Sequence, residues 1–163
     1  MIVAARSGKF VAAMPANSCM PVSNDPPLFA VSVHKGAKTN QILKQSKNFS
    51  INWLNFSDRK IVKVLAEKNN SSDKLAALNI PYQEVWQAPV LIRAQAYAIC
   101  KMKSVQVVGD HDLFIGSLMG GMASLDFDQN WKFDEYRPIL YLGSGFRNPY
   151  TTLHSISSVK KIE

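Results

Sequence analysis

Cysteine is scarce in this chain: Cys19 and Cys100 are the only two in 163 residues, and no CxxC pair exists. That excludes a cysteine-rich zinc site and argues against a disulfide framework. Histidine is also sparse, with His34, His111 and His154 alone, so a histidine-built metal centre has few ligands to draw on. No apolar run approaches the roughly 18 residues of a membrane span. The opening Met1–Arg6 lacks the basic start and long apolar stretch of a signal peptide. The chain contains neither GxxxxGK[ST] nor GxGxxG, which removes the two commonest nucleotide fingerprints. No repeat of 20–50 residues is visible and nothing is low-complexity. The expectation is an intracellular, cytoplasmic protein with no membrane partner and no metal.

What is present is enough apolar material for one domain spanning residues 1–163, since 47% of the residues are hydrophobic. The net charge is +7, from 19 Lys and Arg against 12 Asp and Glu. Such an excess suits nucleic acid or an anionic small molecule. The basic residues are scattered, the densest being Lys101-Met102-Lys103 and Lys160-Lys161. Neither is a long run with interleaved aromatics, so no nucleic-acid partner is expected and a solvated surface explains most of them. Phosphate-bearing small molecules stay open.

Short strands punctuated by turns dominate the first half. Ile2–Ala5 and Phe10–Met14 flank Arg6-Ser7-Gly8-Lys9, which reads as a hairpin turn. Pro15, Pro21 and Pro26-Pro27 rule out helix between them. Leu28–Val33 reads as an apolar strand, and Phe49–Leu54 places Phe49, Ile51 and Trp53 on one side of another. Short helices are expected at Gln41–Ser46 with Thr39 as N-cap, at Arg59–Lys68 with Asp58 as cap, and at Asp73–Leu78. Val90–Cys100, Ser104–Val108 and Leu113–Leu125 read as strands, with Gly120-Gly121 as a bulge or a barrel corner. Mainly β structure with few short helices argues for a closed or partly closed antiparallel barrel.

Three segments carry candidate chemistry. Asn17-Ser18-Cys19 is a proline-bounded loop whose backbone amides can meet a ligand or simply join two strands. Cys19 has no activating neighbour in sequence, so a catalytic thiol is not expected. His34–Asn40 leaves an apolar strand, carries His34, Lys35 and Lys38, and ends at a helix start, as a phosphate clamp or a solvated basic loop would. In GDHDLFIG (Gly109–Gly116), His111 between two aspartates reads as a metal ligand, an acid–base group or a turn. Local pattern favours the turn, with Asp110 or Asp112 bonding back to the main chain.

Together, AMPANSCMPVSNDPPLFAVSV (Ala13–Val33), KTNQILKQSKNFSINWL (Lys38–Leu54) and GDHDLFIG resemble, in order and spacing, the flavin reductase-like FMN-binding family, the ferric reductase and flavoredoxin group. The resemblance covers about the first three quarters of the chain. It implies a Greek-key antiparallel split β-barrel, a homodimer, and FMN near the subunit interface. By position, Ala16, Asn17, Ser18 and Cys19 would line the isoalloxazine, and Ser32, Val33 and His34 would follow the ribityl chain. Lys38 and Thr39 would bind the phosphate, and His111 would lie on the nicotinamide side. The chain departs from the family in having Ser18 where an aromatic is common, and Gly116-Ser117-Leu118 where GEV is common.

The function implied is an FMN-dependent NAD(P)H oxidoreductase of flavin reductase or ferric reductase type, with NADH or NADPH as co-substrate. Its acceptor would be free flavin, a ferric chelate or a redox partner protein. The alternative is a flavoredoxin-like FMN electron carrier with little direct NAD(P)H turnover. In either case the flavin supplies the redox chemistry and the protein holds and tunes it.

Overall fold

The computed structural model describes residues 1–67, 70–124, 136–141 and 150–152. The first hairpin, β1 (Ile2–Ser7) and β2 (Phe10–Pro15), turns on Gly8-Lys9, where Gly8 takes φ +55°. Next come β3 (Cys19–Asn24) and β4 (Pro27–His34), then α1 (Lys38–Gln45) and β5 (Asn48–Trp53). A 3-10 turn at Phe56–Asp58 leads into α2 (Arg59–Ala66) and α3 (Lys74–Ala77). A small hairpin follows, β6 (Tyr82–Val85) and β7 (Ala88–Leu91), before the long hairpin β8 (Ala96–Val108) and β9 (His111–Ala123). The pair β10 (Leu140–Tyr141) and β11 (Tyr150–Thr151) closes the described chain.

Seven strands form one antiparallel sheet in the order β2-β1-β5-β8-β9-β4-β3. Its two edges, β2 and β3, are consecutive in the chain and joined by Ala16-Asn17-Ser18 alone. Three residues reach only about 10 Å when extended, so the sheet must curl until its edges meet at that end. The result is a split barrel. Its interior is a cluster built from Val3, Val31, Val33, Phe49, Ile51, Cys100 and Phe114, with Ile42 and Leu43 of α1 closing one end. A second cluster lies on the opposite face, where α2 and α3 place Val62, Leu65 and Leu75 on Ile2, Ala4, Val11 and Ala13. Among the described residues no helix is long and apolar enough to cross a membrane.

The expected strands at Ile2–Ala5, Phe10–Met14, Leu28–Val33 and Phe49–Leu54 are present, and Phe49 and Ile51 enter the core with Trp53 packed against it. The bulge beside Gly120 is also present: Gly120 pairs with Ile99 and Leu118 with Cys100, leaving Met119 as the extra residue. Four expectations need correction. Thr39 is not the cap of α1, because the helix begins at Lys38 with Ala37, two positions earlier, in the cap position. Asp58 holds the cap position of α2 without capping it, since its carboxylate pairs with Arg93 at 2.7 Å. Val90–Cys100 is two strands, broken by a turn in which the Ala94 amide donates to the Leu91 carbonyl. Ser104–Val108 is the far end of β8 rather than a separate strand. Lys68, Leu125, His154 and Lys160-Lys161 lie outside the described residues.

Candidate functional site

The N-terminus of α1 has two properties that suit an anion. Ala37 has no polar side chain, and among the described residues no side chain caps the helix and no carboxylate sits in its first turn. The leading amides of any helix lack intrahelical acceptors and carry the positive end of its dipole. Lys38 adds an ammonium, which donates to the carbonyls of Asn70 (3.0 Å) and Ser71 (2.5 Å). Lys74 lies close by and donates to the carbonyls of Leu65 (2.6 Å) and Glu67 (3.0 Å). Burial first, and Lys38 as a like charge, lower its pKa, against the opposing pull of Glu67. This end of α1 opens on a cleft of about 720 Å³. Asn17, His34, Gly36, Lys38 and Thr39 line it, together with Val62, Leu65, Glu67, Tyr141 and Tyr150.

A second constellation borders the cleft. His34 and His111 are register partners on β4 and β9, and their rings meet edge to face with centroids 5.3 Å apart. His34 Nδ1 accepts the Gly36 N–H at 3.0 Å, so the neutral ring carries its proton on Nε2. His111 Nδ1 lies 2.7 Å from Asp110 Oδ1. A carboxylate can only accept, so Nδ1 donates there and Nε2 keeps a free lone pair. That hydrogen bond holds the Asp110 carboxyl below its usual range. The turn itself is Gly109-Asp110, with Gly109 at φ +55°, tied to the other strand by Lys35 Nζ on the Gly109 carbonyl at 2.5 Å. Asp110 bonds both the His111 ring and its own main-chain amide, as expected of the turn, whereas Asp112 bonds to side chains. Among the described residues no three His, Cys, Asp or Glu side chains converge to hold a metal ion.

The flavin reductase like domain matches residues 1–149. The chain belongs to this family. Its fold resembles that of the FMN-binding protein from Thermus thermophilus with bound 1-cyclohex-2-enone, with a TM-score of 0.78 and 26% identity over 93% of this chain and 83% of that one. It also resembles the flavin reductase PheA2 in its native state, with a TM-score of 0.73 and 25% identity over 94% and 88% of the two chains. An uncharacterized protein from Aeropyrum pernix is 31% identical over 151 residues, which is 88% of this chain and 56% of that protein. The chain thus spans about half the length of that curated relative.

Within this flavin reductase like domain, the cleft brings together Asn17, His34, Lys38 and Thr39 of the residues singled out in the sequence. His111 joins through its contact with His34. The other expected residues contribute no side chain to the cleft. Val33 and Cys19 turn into the barrel core, Ala16 is buried, and burial pushes the Cys19 thiol up to about 12. Ser18 and Ser32 are joined through the main chain, the Ser32 amide donating to the Ser18 carbonyl at 3.0 Å. Sequence reasoning missed Lys74 and the wall formed by α2 with Tyr141 and Tyr150. These residues lie far along the chain from Lys38, and no local pattern marks them.

Proposed function

We propose that the chain binds FMN and acts as an NAD(P)H-dependent oxidoreductase of flavin reductase or ferric reductase type. The observation that carries this reading is the uncapped N-terminus of α1, with Lys38, opening on a cleft large enough for a tricyclic ring and a phosphate-bearing tail. The residues present fit the group: the α1 amides and the Lys38 ammonium supply donors, Asn17 and His34 add polar contacts, and Val62, Leu65, Tyr141 and Tyr150 add apolar lining. FMN, when bound, supplies the hydride and electron chemistry. The Lys38 and Thr39 end anchors the phosphate, His34 offers an Nε2–H toward the tail, and His111 orients the nicotinamide of NADH or NADPH. The similarity to an FMN-binding protein and a flavin reductase supports this reading. A homodimer is part of it. The exposed Val105 and Val107, two residues apart and so on one face of β8, offer an apolar surface suited to a second copy.

Purification tests the cofactor first. A yellow protein, or a colourless one that takes up FMN stoichiometrically, is the expected result, and failure to take up FMN overturns the proposal. Stopped-flow mixing with NADH and NADPH then tests the activity. Rapid bleaching supports the reductase. Bound FMN that neither nucleotide reduces favours the electron carrier, in keeping with the small, exposed Ser18.

A further inference from the structure

We propose that Asp112 is a positioning residue, whose buried carboxylate fixes the first turns of α1 against the His34–His111 edge and thereby sets phosphate recognition. The inference rests on the FMN reading and adds to it a residue that does not touch the ligand.

Asp112 is fully buried, next to His111, and is the register partner of Val33 on β4 and Val107 on β8. Its Oδ2 accepts from Asn40 Nδ2 at 2.9 Å and from Lys44 Nζ at 2.6 Å. Asn40 and Lys44 stand four residues apart, on one face of α1. The Asn40 amide also donates to the Val33 carbonyl at 3.1 Å. The Asp112 carboxylate and the Asn40 amide together therefore join three segments: the helix beginning with Lys38 and Thr39, the strand ending at His34, and the strand beginning at His111.

Stability alone is a poor reason for this arrangement. Buried ion pairs rarely stabilise more than apolar residues of the same volume, although removing one partner is costly. Here Lys44 is half exposed, and among the described residues the second carboxylate oxygen of Asp112 has no partner. A group chosen for stability would pack better or bond more fully. What the carboxylate does supply is direction, because two donors converging on one oxygen hold the helix in both rotation and depth. A small rotation of α1 would swing its leading amides away from the phosphate while leaving in place the part of the cleft built on β2.

The test compares FMN with riboflavin, which lacks the phosphate, on the full chain. In Asp112→Asn, FMN affinity is expected to fall about tenfold, the worth of one misdirected charge-assisted hydrogen bond, with riboflavin affinity nearly unchanged. Lys44→Met breaks the same link from its half-exposed end and is expected to lower the FMN-to-riboflavin preference in the same direction, which covers the case in which Asp112→Asn does not fold. A merely structural role would lower both affinities together. Parallel losses, or an unchanged preference in both variants, overturn the proposal. Wild-type protein that binds neither flavin overturns the FMN reading itself, an outcome distinct from wild-type binding with unaltered preference in the variants.

Discussion

His34 and His111 meet edge to face across β4 and β9 with centroids 5.3 Å apart, and their hydrogen bonds fix opposite tautomers. One ring presents a donor at Nε2 and the other a lone pair. This pair stands where the α1 end of the cleft meets the turn that carries His111, so the two imidazoles are expected to serve different ligands.

Replacing His111 with Ala removes the lone pair without touching α1. Reduction by NADH or NADPH is expected to slow about tenfold or more, the worth of one directed hydrogen bond, with FMN affinity within about twofold of wild type. Single-turnover bleaching and flavin titration separate the two effects. Equal losses, or none, would remove His111 from the nicotinamide side.

Lys38→Ala combined with Thr39→Ala is expected to weaken FMN binding about 10- to 100-fold, the range of one charge-assisted contact with a neighbouring neutral one. The Lys38 ammonium also holds the Asn70 and Ser71 carbonyls, so the single Lys38→Ala variant should lower thermal stability as well. Calorimetric titration reads the binding term. An unchanged affinity in the double variant refutes the phosphate clamp.

Asp112 gives stability a sign with pH. The Lys44 ammonium first, then the Asn40 amide, holds its carboxyl below the ordinary value of 3.8. A depressed folded pKa means that the unfolded chain takes up the proton first on acidification, so folding draws stability from the ionised form. That contribution is complete well above pH 3.8 and is lost as the pH falls through the depressed value. Urea unfolding should therefore show Asp112→Asn less stable than wild type at pH 7, with the gap narrowing toward pH 3. A gap independent of pH would contradict the charge assignment.

Both thiols should be inert in the native protein. Burial pushes Cys19 and Cys100 up to about 12, so roughly one in 10,000 is ionised at pH 8. Labelling by an aromatic disulfide reagent is expected to accelerate at least about a hundredfold on unfolding. Fast labelling of Cys19 in the folded state would return its side chain to the cleft.

Two glycines of β9 differ in what they tolerate. A Cβ on Gly116 would sit 2.5 Å from the Phe49 ring and 2.7 Å from the Cys100 Cβ. Gly116→Ala is therefore expected to cost about 1–3 kcal/mol by overpacking. On Gly121 the same atom would strike the Tyr97 carbonyl, a backbone atom fixed in the β8–β9 ladder, so Gly121→Ala should be the more damaging. Denaturant midpoints rank the two.

Much of this architecture was legible from local chemistry. Period-2 patterning marked β5, an unbroken apolar run marked β4, and a turn between two apolar stretches marked β1 and β2. The prolines excluded helix around β3, and the glycine pair located the bulge in β9. His34–Asn40 stood out because basic side chains beside a helix start have a direct electrostatic meaning. Thr39 was misread as the cap for an equally local reason: hydroxyl residues favour that position, and nothing nearby shows that the helix begins two residues sooner.

Tertiary structure decided the rest, because side-chain direction and long-range convergence are not local properties. The curl of the sheet turned Cys19 and Val33 inward and left Asn17 and His34 on the cleft. It also brought α2, Tyr141 and Tyr150 into the same cleft as Lys38. Above all it converted Asp112, in sequence merely the second acid beside His111, into the buried anchor of a helix more than sixty residues away. The residue types that could do this chemistry were written in the chain; which of them meet was settled by the closing of the barrel.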